Sequence, residues 1–210
     1  MRTPLLLFAA IALAGSNCAA AESQTAILAG DFVINDGQGL TTVQDPNAPV
    51  SFQLPAGWVL TGGVRWGNHE TTLSILDTAS RTAASVYYQY PIQSTIPANL
   101  DAALISGMEA NVSQRQREGL KDYHIRTGSG RTSVVDGRPA LSFVGDFTAP
   151  RGQPMSEYML RVLGANTKAE FFVKLPAAAD LSSFVNRLGS IAQTSAYPEP
   201  MSAEIPAETH

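Results

Sequence analysis

The sequence contains one cysteine, Cys18, and it lies close to the amino terminus. If an amino-terminal signal is removed, the remaining chain has no thiol, which excludes disulfides, thiol catalysis and thiolate metal sites. Charged residues are scarce at 15% of the chain, and aromatic residues make up 8%. A dense basic face, which nucleic-acid binding requires, is therefore not predicted.

The amino-terminal residues have the organisation of an export signal. An uncharged apolar run of 11 residues, LLLFAAIALAG at 5–15, follows Arg2. It is too short to cross a bilayer, which takes about 20 residues. Ala19 and Ala21 then have the small-x-small spacing of a signal-peptidase site. We predict a signal peptide over 1–21, cleaved after Ala21, and a periplasmic or secreted protein.

A lipoprotein signal is the alternative, with Cys18 as the lipidated residue. Gly15 and Asn17 fit it less well, because they stand where that signal has an aliphatic and a small residue. No later segment is apolar and long enough to cross a membrane. The mature chain would keep 189 of the 210 residues, enough for one domain with its own core.

Charge is distributed unevenly. Residues 22–114 carry two basic and eight acidic side chains, 115–187 carry eleven and seven, and 188–210 carry none and three. The basic residues of the middle segment begin where a predicted helix ends, a position that favours cations. This cluster contains Arg115, Arg117, Lys121, Arg126, Arg131 and Arg138. It is either a solvated face or a contact surface for an anionic partner such as lipid headgroups.

Alternation of apolar and polar residues predicts several half-buried strands. The segment VSFQLPAGW at 50–58 is the first clear one, and Pro55 and Gly57 predict a turn after it. The later strands are connected by short links, which suits antiparallel pairing, and Asp136-Gly137 is a hairpin signal. The other alternating sets are Leu73 and Ile75; Ala84, Val86, Tyr88 and Tyr90; Leu141, Phe143 and Phe147; Tyr158, Leu160 and Val162; and Ala169, Phe171, Val173 and Leu175.

Two segments have helical periodicity instead. Within 99–118, apolar residues recur every four positions from Leu100, Asn99 is a candidate N-cap, and Gly119 is a candidate terminating residue. Within 178–194, a second apolar stripe precedes two prolines. These segments predict two helices that flank the sheet.

Three segments together resemble the PsbP-like family: VSFQLPAGW at 50–58, VDGRPALSF at 135–143 and DLSSFVNRLGSIAQT at 180–194. That family includes the extrinsic protein of photosystem II, a Ran-binding nuclear import factor and small exported bacterial proteins, some of them DcrB-like. The resemblance implies an α/β/α sandwich and, for exported members, a binding or assembly role. The family has no shared active site, so the resemblance implies no functional residue.

We therefore predict an α+β fold: a single domain with a mainly antiparallel β-sheet flanked by helices. The PsbP-like domain would cover 49–197, after an irregular amino-terminal arm over 22–48 with at most one strand. The segment 198–210 is rich in proline and glutamate, which is typical of a disordered tail.

The sequence contains no clear catalytic or metal-binding pattern. No metal-ligand spacing occurs around His69, His124 or His210. Ser129 lies between glycines but precedes a strand, whereas a nucleophile elbow precedes a helix. Asp146 has no acidic neighbour in the sequence. No cofactor or metal is predicted, and a hydrolase would need His69, Asp146 or Ser129 to converge from distant strands.

Tyrosine and tryptophan are common anchors of protein interfaces. In the predicted strand at 84–90, Tyr87 points to the face opposite Tyr88 and Tyr90. If one face is core, at least one of these tyrosines lies outside it or at a rim, and Tyr87 is the candidate for binding. The leading hypothesis is thus an exported, non-catalytic binding or assembly module of the bacterial cell envelope whose partner is another envelope protein. The alternative is the hydrolase with a site assembled from distant strands.

Overall fold

A computed structural model of the chain describes residues 24–37, 40–67, 70–92 and 96–196. The predicted signal peptide and the predicted tail lie outside these residues. The strands are β1 (Gln24–Ile27), β2 (Val33–Gly37), β3 (Leu40–Gln44), β4 (Ser51–Pro55), β5 (Trp58–Trp66), β6 (Glu70–Asp77), β7 (Thr82–Gln89), β8 (His124–Ile125), β9 (Arg131–Val135), β10 (Arg138–Thr148), β11 (Pro154–Leu163) and β12 (Lys168–Pro176); the α-helices are α1 (Leu100–Arg117) and α2 (Leu181–Gln193).

The strands form two antiparallel sheets. The main sheet has the order β1-β5-β6-β7-β12-β11-β10-β8, and β9 pairs with β10 beside β8. The small sheet has the order β2-β3-β4. Both helices pack against the main sheet. The α+β class with a mainly antiparallel sheet is confirmed.

The two predicted turns have the backbone geometry that their residues favour. Asp136 and Gly137 both have positive φ, 48° and 73°, as a two-residue type I′ hairpin between β9 and β10 requires. Gly57 has φ 83° and connects the small sheet to the main sheet between Pro55 and Trp58. The VSFQLPAGW motif at 50–58 therefore has a structural role, because its proline ends β4 and its tryptophan begins β5.

Helix α1 begins one residue after its predicted start. The Asn99 side chain accepts a hydrogen bond from the Ala102 N–H at 3.0 Å, which caps the first turn. Gly119, with φ 98°, follows the last turn. The side of the helix that faces the sheet is formed by Leu104, Gly107, Asn111 and Arg115, at intervals of three and four residues.

Helix α2 lies on the opposite face of the main sheet. Asp180 caps it by accepting the Ser182 N–H at 3.0 Å. Its buried stripe contains Phe184 and Leu188, and the Phe184 ring meets the Trp58 ring edge-on with centroids 6.4 Å apart. This contact ties the start of β5 to α2.

The apolar core is divided between the two faces of the main sheet. The larger part lies between the main sheet, α2 and the small sheet, and the smaller part lies beneath α1. Phe52, Leu54 and Trp58 belong to the larger part, and Leu104 and Phe143 to the smaller. Met108, which the helical period also places inward, is only partly buried at the edge of the smaller part.

The amino-terminal arm differs from its prediction. Residues 22–48 were expected to be irregular, but β1 extends the main sheet, and β2 and β3 form the small sheet with β4. The sequence signal was weak because, among the side chains that the structure describes in β2 and β3, only Val43 is buried. Strands with few inward apolar residues do not alternate clearly.

Candidate functional site

One half of the main sheet has no helix over its outer face. Helix α1 covers β8 to β11, and in the described residues no helix packs against that face of β5 to β7. We call this surface the open face. Its side chains come from β5, β6, β7 and β12, and they are Trp66, Glu70, Thr72, Tyr87, Gln89, Lys168 and Glu170.

The strand register arranges the open face in two rows. Trp66, Glu70, Gln89 and Lys168 are successive partners in one row. Thr72, Tyr87 and Glu170 follow one another in the adjacent row. Neighbouring strands lie about 4.8 Å apart, so the first row extends roughly 14 Å across the sheet.

Tyr87 lies near the centre of the open face, half-buried. The Lys168 ammonium is 5.2 Å from its ring centroid, within the range of a cation–π contact. Burial and the nearby carboxylates of Glu70 and Glu170 raise the pKa of Tyr87, so its hydroxyl remains protonated. Tyr87 was predicted to point to the face opposite Tyr88, and it does so.

The charges of the open face balance within the surface. Glu170 accepts a hydrogen bond from Arg161 Nε at 2.8 Å and lies 3.7 Å from Lys168 Nζ. Glu70 accepts from the Gln89 amide at 3.2 Å. With Arg161, which reaches Glu170 from the neighbouring strand β11, two cationic and two anionic side chains form a neutral polar surface around the aromatic residues.

A cavity of about 230 Å³ lies on the other face of the main sheet, against the small sheet. Asp45 lies on its wall and is 4% exposed. Its carboxylate accepts Arg65 Nη2 at 2.8 and 2.7 Å, the Asn47 N–H at 2.8 Å and the Tyr88 hydroxyl. The Asp45 oxygens are fully used, so this arrangement holds the two sheets together.

Arg115, predicted as part of an exposed basic surface, is buried. Its guanidinium donates to Glu157 through Nε at 3.0 Å and Nη2 at 2.6 Å, and to Glu118 through Nη1 at 2.8 Å. The helical period explains the difference, because Arg115 continues the inward side of α1 after Leu104 and Asn111. The prediction of Arg115 as a surface contact is wrong.

The carboxylate of Glu157 is fully buried and receives further partners beside Arg115. The Tyr123 hydroxyl donates to it at 2.9 Å, and Lys174 Nζ lies 3.6 Å away. Burial lowers the pKa of Lys174 in spite of the neighbouring Glu157 carboxylate. The cluster of Arg115, Glu157, Tyr123 and Lys174 fixes α1 and the following loop on the sheet.

The other predicted basic residues do not form one surface. Arg117 and Lys121 are exposed near the end of α1. Arg126 donates to Asp146 through Nε at 2.9 Å and Nη2 at 2.7 Å, and to Ser156 at 2.9 Å. Arg131 donates to the carbonyl oxygens of Gly128 and Gly130. The positive charge of Arg126 is therefore neutralised.

Arg131 is also distant from the end of α1. It lies opposite Ser142 on β10, whereas Arg115 lies over Glu157, whose partner on β10 is Gly145. Three residues of a strand measure about 10 Å, which is one Debye length at ordinary salt. The structure does not bring Arg131 together with Arg117 and Lys121.

The residues of the hydrolase alternative serve structural contacts. The Ser129 hydroxyl donates to the Val144 carbonyl at 3.2 Å and accepts the Val144 N–H at 3.1 Å. Its side chain thus bonds the backbone of β10 at the position where a neighbouring strand would pair. Asp146 is held by Arg126, and His69 lies outside the described residues. The described positions of Ser129 and Asp146 provide no nucleophile with an adjacent base.

The described residues contain no group of three or more histidine, cysteine, aspartate or glutamate side chains placed to hold a metal ion. Within the same residues, no helix has both the length and the apolar composition needed to cross a membrane.

Comparisons with known proteins gave structural similarity only. No protein-family model matches the sequence, and a search of curated proteins gave no relative. The chain is similar to the solution structure of cyanobacterial PsbP (CyanoP) from Synechocystis sp. PCC 6803, with 10% identity and a TM-score of 0.49 over 78% of this chain and 98% of that one.

A protein from Bacteroides thetaiotaomicron VPI-5482 is a second structural neighbour, with 10% identity and a TM-score of 0.42. The match covers 71% of this chain and 45% of the length of the Bacteroides protein. Both TM-scores are below 0.5, so neither match carries a conclusion about function. Membership of the PsbP-like family stays a prediction.

Sequence reasoning found Tyr87 but missed the rest of the open face. Lys168 and Glu170 of β12 are far in the chain from Gln89 and Glu70, and the two sets become neighbours only through the strand order. The strand order is a non-local property, and alternation within one strand does not reveal it. The sequence does show that the outward-facing residues of these strands are polar. Polar residues are usual on any solvent-exposed strand face, so this pattern does not indicate a binding site.

Proposed function

We propose that the protein is an exported, non-catalytic binding module that docks a folded protein of the cell envelope on the open face. The observation that carries the proposal is the half-buried Tyr87 at the centre of a sheet face without a covering helix. Tyrosine, tryptophan and arginine are enriched where protein interfaces have their strongest contacts. Trp66 on β5, Tyr87 on β7 and Arg161 on β11 supply these residue types on every second strand of this part of the sheet.

The charge arrangement favours a protein partner over a charged small molecule. Arg161 and Lys168 both lie beside Glu170, and Glu70 accepts from the Gln89 amide, so the two cations and two carboxylates together carry no net charge that would attract an ion. Salt-bridged polar groups around an aromatic centre provide a rim that can exchange hydrogen bonds with a second surface. The strands provide a rigid support, which lowers the entropic cost of docking.

The structural roles of Ser129 and Asp146 favour binding over catalysis. The Ser129 side chain is hydrogen-bonded to the backbone of Val144, and the Asp146 carboxylate is hydrogen-bonded to Arg126 and Ser156.

The proposal of export rests on the amino-terminal apolar run and the spacing of Ala19 and Ala21. Mass spectrometry of the mature protein tests it, since the proposal requires an amino terminus at Glu22, and an intact Met1 or a lipidated Cys18 contradicts it.

The docking proposal is tested by co-purification from envelope extract followed by binding measurements with each purified candidate. Tyr87→Ala should weaken binding of the specific partner at least 10-fold, corresponding to the loss of an interface anchor. Asn186→Ala, an exposed change on α2, is the matched control and should leave binding unchanged. A partner that binds both variants equally would show that docking uses another surface.

A further inference from the structure

Strand β9 is an exposed edge of the main sheet. It pairs with β10 on one side, and no described strand pairs with its other side. Arg131, Thr132, Ser133 and Val134 are all exposed, Val134 to 68%. Strand β9 contains no lysine, proline or bulge, and its one charged residue, Arg131, is at its first position. The edge is therefore open to pairing with another strand.

Val144 on β10 shows which backbone groups point toward this edge. Its carbonyl accepts the Arg126 N–H at 2.8 Å, and its N–H donates to the Ser129 hydroxyl at 3.1 Å. Arg126 and Ser129 both lie on the side of β10 where β8 and β9 pair. Even-numbered residues of β10 thus direct their backbone groups to that side, since the direction alternates along a strand.

The pairing register between β9 and β10 shows in which direction the backbone groups of each β9 residue point. Ala140 is opposite Ser133, and Ser142 is opposite Arg131, so Ser133 and Arg131 direct their backbone groups inward to β10. Thr132 and Val134 must then direct their N–H and C=O groups outward. Neither residue has a hydrogen bond to a described residue beyond β10. The outer edge offers two donors and two acceptors at the spacing of an antiparallel ladder.

We propose that a second copy of this chain pairs with this edge, β9 against β9, antiparallel about a two-fold axis at Ser133. Thr132 of one copy then lies opposite Val134 of the other, and each pair exchanges two backbone hydrogen bonds. The two Ser133 residues face each other as a non-hydrogen-bonded pair. The result is one continuous sheet through both copies.

Charge complementarity favours a second copy as the occupant. In this register Gly130 lies opposite the second copy's Asp136, so the Arg131 guanidinium comes close to that carboxylate at both ends of the pairing. Asp136 is 57% exposed in its side chain and accepts Arg138 of its own chain through Oδ2 at 2.9 Å, so Arg131 of the second copy would approach the other carboxylate oxygen; Arg131 is bonded only to backbone carbonyls within the described residues. The edge thus carries a cation at one end and an anion at the other.

The antiparallel pairing also determines on which side of the shared sheet the helices of each copy lie. Paired residues of neighbouring antiparallel strands point to the same side of a sheet, so both copies of α1 lie on one side. The open faces of both copies are then on that side too, which would let one dimer engage two partner molecules. A five-residue strand pair is small for an interface, so the dimer is expected to be weak.

A single-cysteine variant tests the register. In a Cys18→Ser background, Ser133→Cys leaves one thiol per chain, and the two Cα atoms would be about 4.5 Å apart, within disulfide range. Mild oxidation should convert this variant to a covalent dimer. Ser74→Cys, exposed on β6, is the control and should remain monomeric. Equal cross-linking of both variants, or of neither, overturns the proposal.

Sedimentation equilibrium tests the association without a cross-link. The wild-type chain should shift from monomer to dimer between about 5 and 500 µM, the range expected for a small interface. Val134→Lys places a charge at the centre of the edge and should abolish the shift, while Val59→Lys, an exposed valine of β5, should retain it. A wild-type chain that stays monomeric, or that associates only with a different protein, contradicts the proposal.

Discussion

Arg115 of helix α1 and Glu157 of strand β11 form a bidentate ion pair inside the protein, with Nε 3.0 Å from Oε2 and Nη2 2.6 Å from Oε1. Glu157 is 0% exposed and Arg115 is 2% exposed. The pair anchors the last turns of α1 to the sheet. An arginine that the sequence groups with surface cations is thus part of the interior.

Replacement of Arg115 by alanine should lower the free energy of unfolding by about 3–5 kcal/mol, because it leaves the Glu157 carboxylate buried without its main partner. Arg117→Ala, two residues further on the exposed side of α1, is the matched control and should change stability by less than about 0.5 kcal/mol. Urea titration of both variants measures the difference. Similar losses for the two variants would show that the pair does not anchor the helix.

Two glycines should respond in opposite directions to alanine. A Cβ at Gly145 would lie 2.0 Å from the Tyr123 hydroxyl oxygen, so Gly145→Ala must displace the ring that donates to Glu157. Gly189, inside α2, has no atom within 4 Å of its added Cβ. Gly189→Ala should raise stability by about 0.5–1 kcal/mol through helix propensity, and Gly145→Ala should lower it by about 1–3 kcal/mol.

Thermal unfolding of the two glycine variants beside the wild type provides the readout. The expected order of melting temperatures is Gly189→Ala, wild type, Gly145→Ala. If Gly145→Ala melted at the wild-type temperature, Tyr123 would not pack against Gly145 as described.

Stability at acidic pH should depend on Asp146. The hydrogen bond from Arg126 holds the pKa of Asp146 below its ordinary value of 3.8, and Ser156 contributes in the same direction. A carboxyl whose pKa is lower in the folded state adds stability that is complete above its unfolded pKa, about 3.9. That stability is lost as the pH falls through the folded pKa.

The free energy of unfolding should therefore fall less steeply below about pH 5 in Asp146→Asn than in the wild type. Arg126→Gln removes the first cause of the shift and should flatten the curve similarly. Denaturant titrations from pH 7 to pH 3 measure all three proteins. Parallel curves for wild type and both variants would contradict the assignment.

The exposed cations near the end of α1 should not bind anionic membranes. Arg115 and Arg126 are neutralised by carboxylates, and Arg131 is about a Debye length away, so only Arg117 and Lys121 remain together. The wild type and an Arg117→Ala/Lys121→Ala variant should co-sediment equally with anionic and neutral liposomes. Preferential binding of the wild type to anionic liposomes, lost in the variant and at higher salt, would restore the membrane hypothesis.

The fold class could be predicted from the sequence because its determinants are local. Alternation marked β4, β7 and β10 to β12, and the cap Asn99 places the start of α1 within one residue of the structure, whereas α2, predicted from residue 178, begins at Leu181. The small sheet was missed, because β2 and β3 bury few of their described side chains and show no clear period.

The candidate site could be predicted only in part, since side-chain direction within one strand identifies Tyr87 but not its neighbours. Glu170 meets Tyr87 because β12 pairs with β7, a contact between residues more than eighty positions apart. The burial of Arg115 was open to prediction from the period of α1. It was missed because an arginine on a helix is more often solvated than buried.

Site-specific photocross-linking in the cell envelope can show whether a partner protein docks on the open face. A photoreactive phenylalanine analogue is placed in turn at Thr72, Tyr87 and Gln89 on the open face, and at Asn186 and Gln193, which are exposed on α2. Docking on the open face predicts one adduct of the same mass at the three open-face positions and none at the two on α2. The same adduct at all five positions, or adducts only on α2, would contradict docking on the open face.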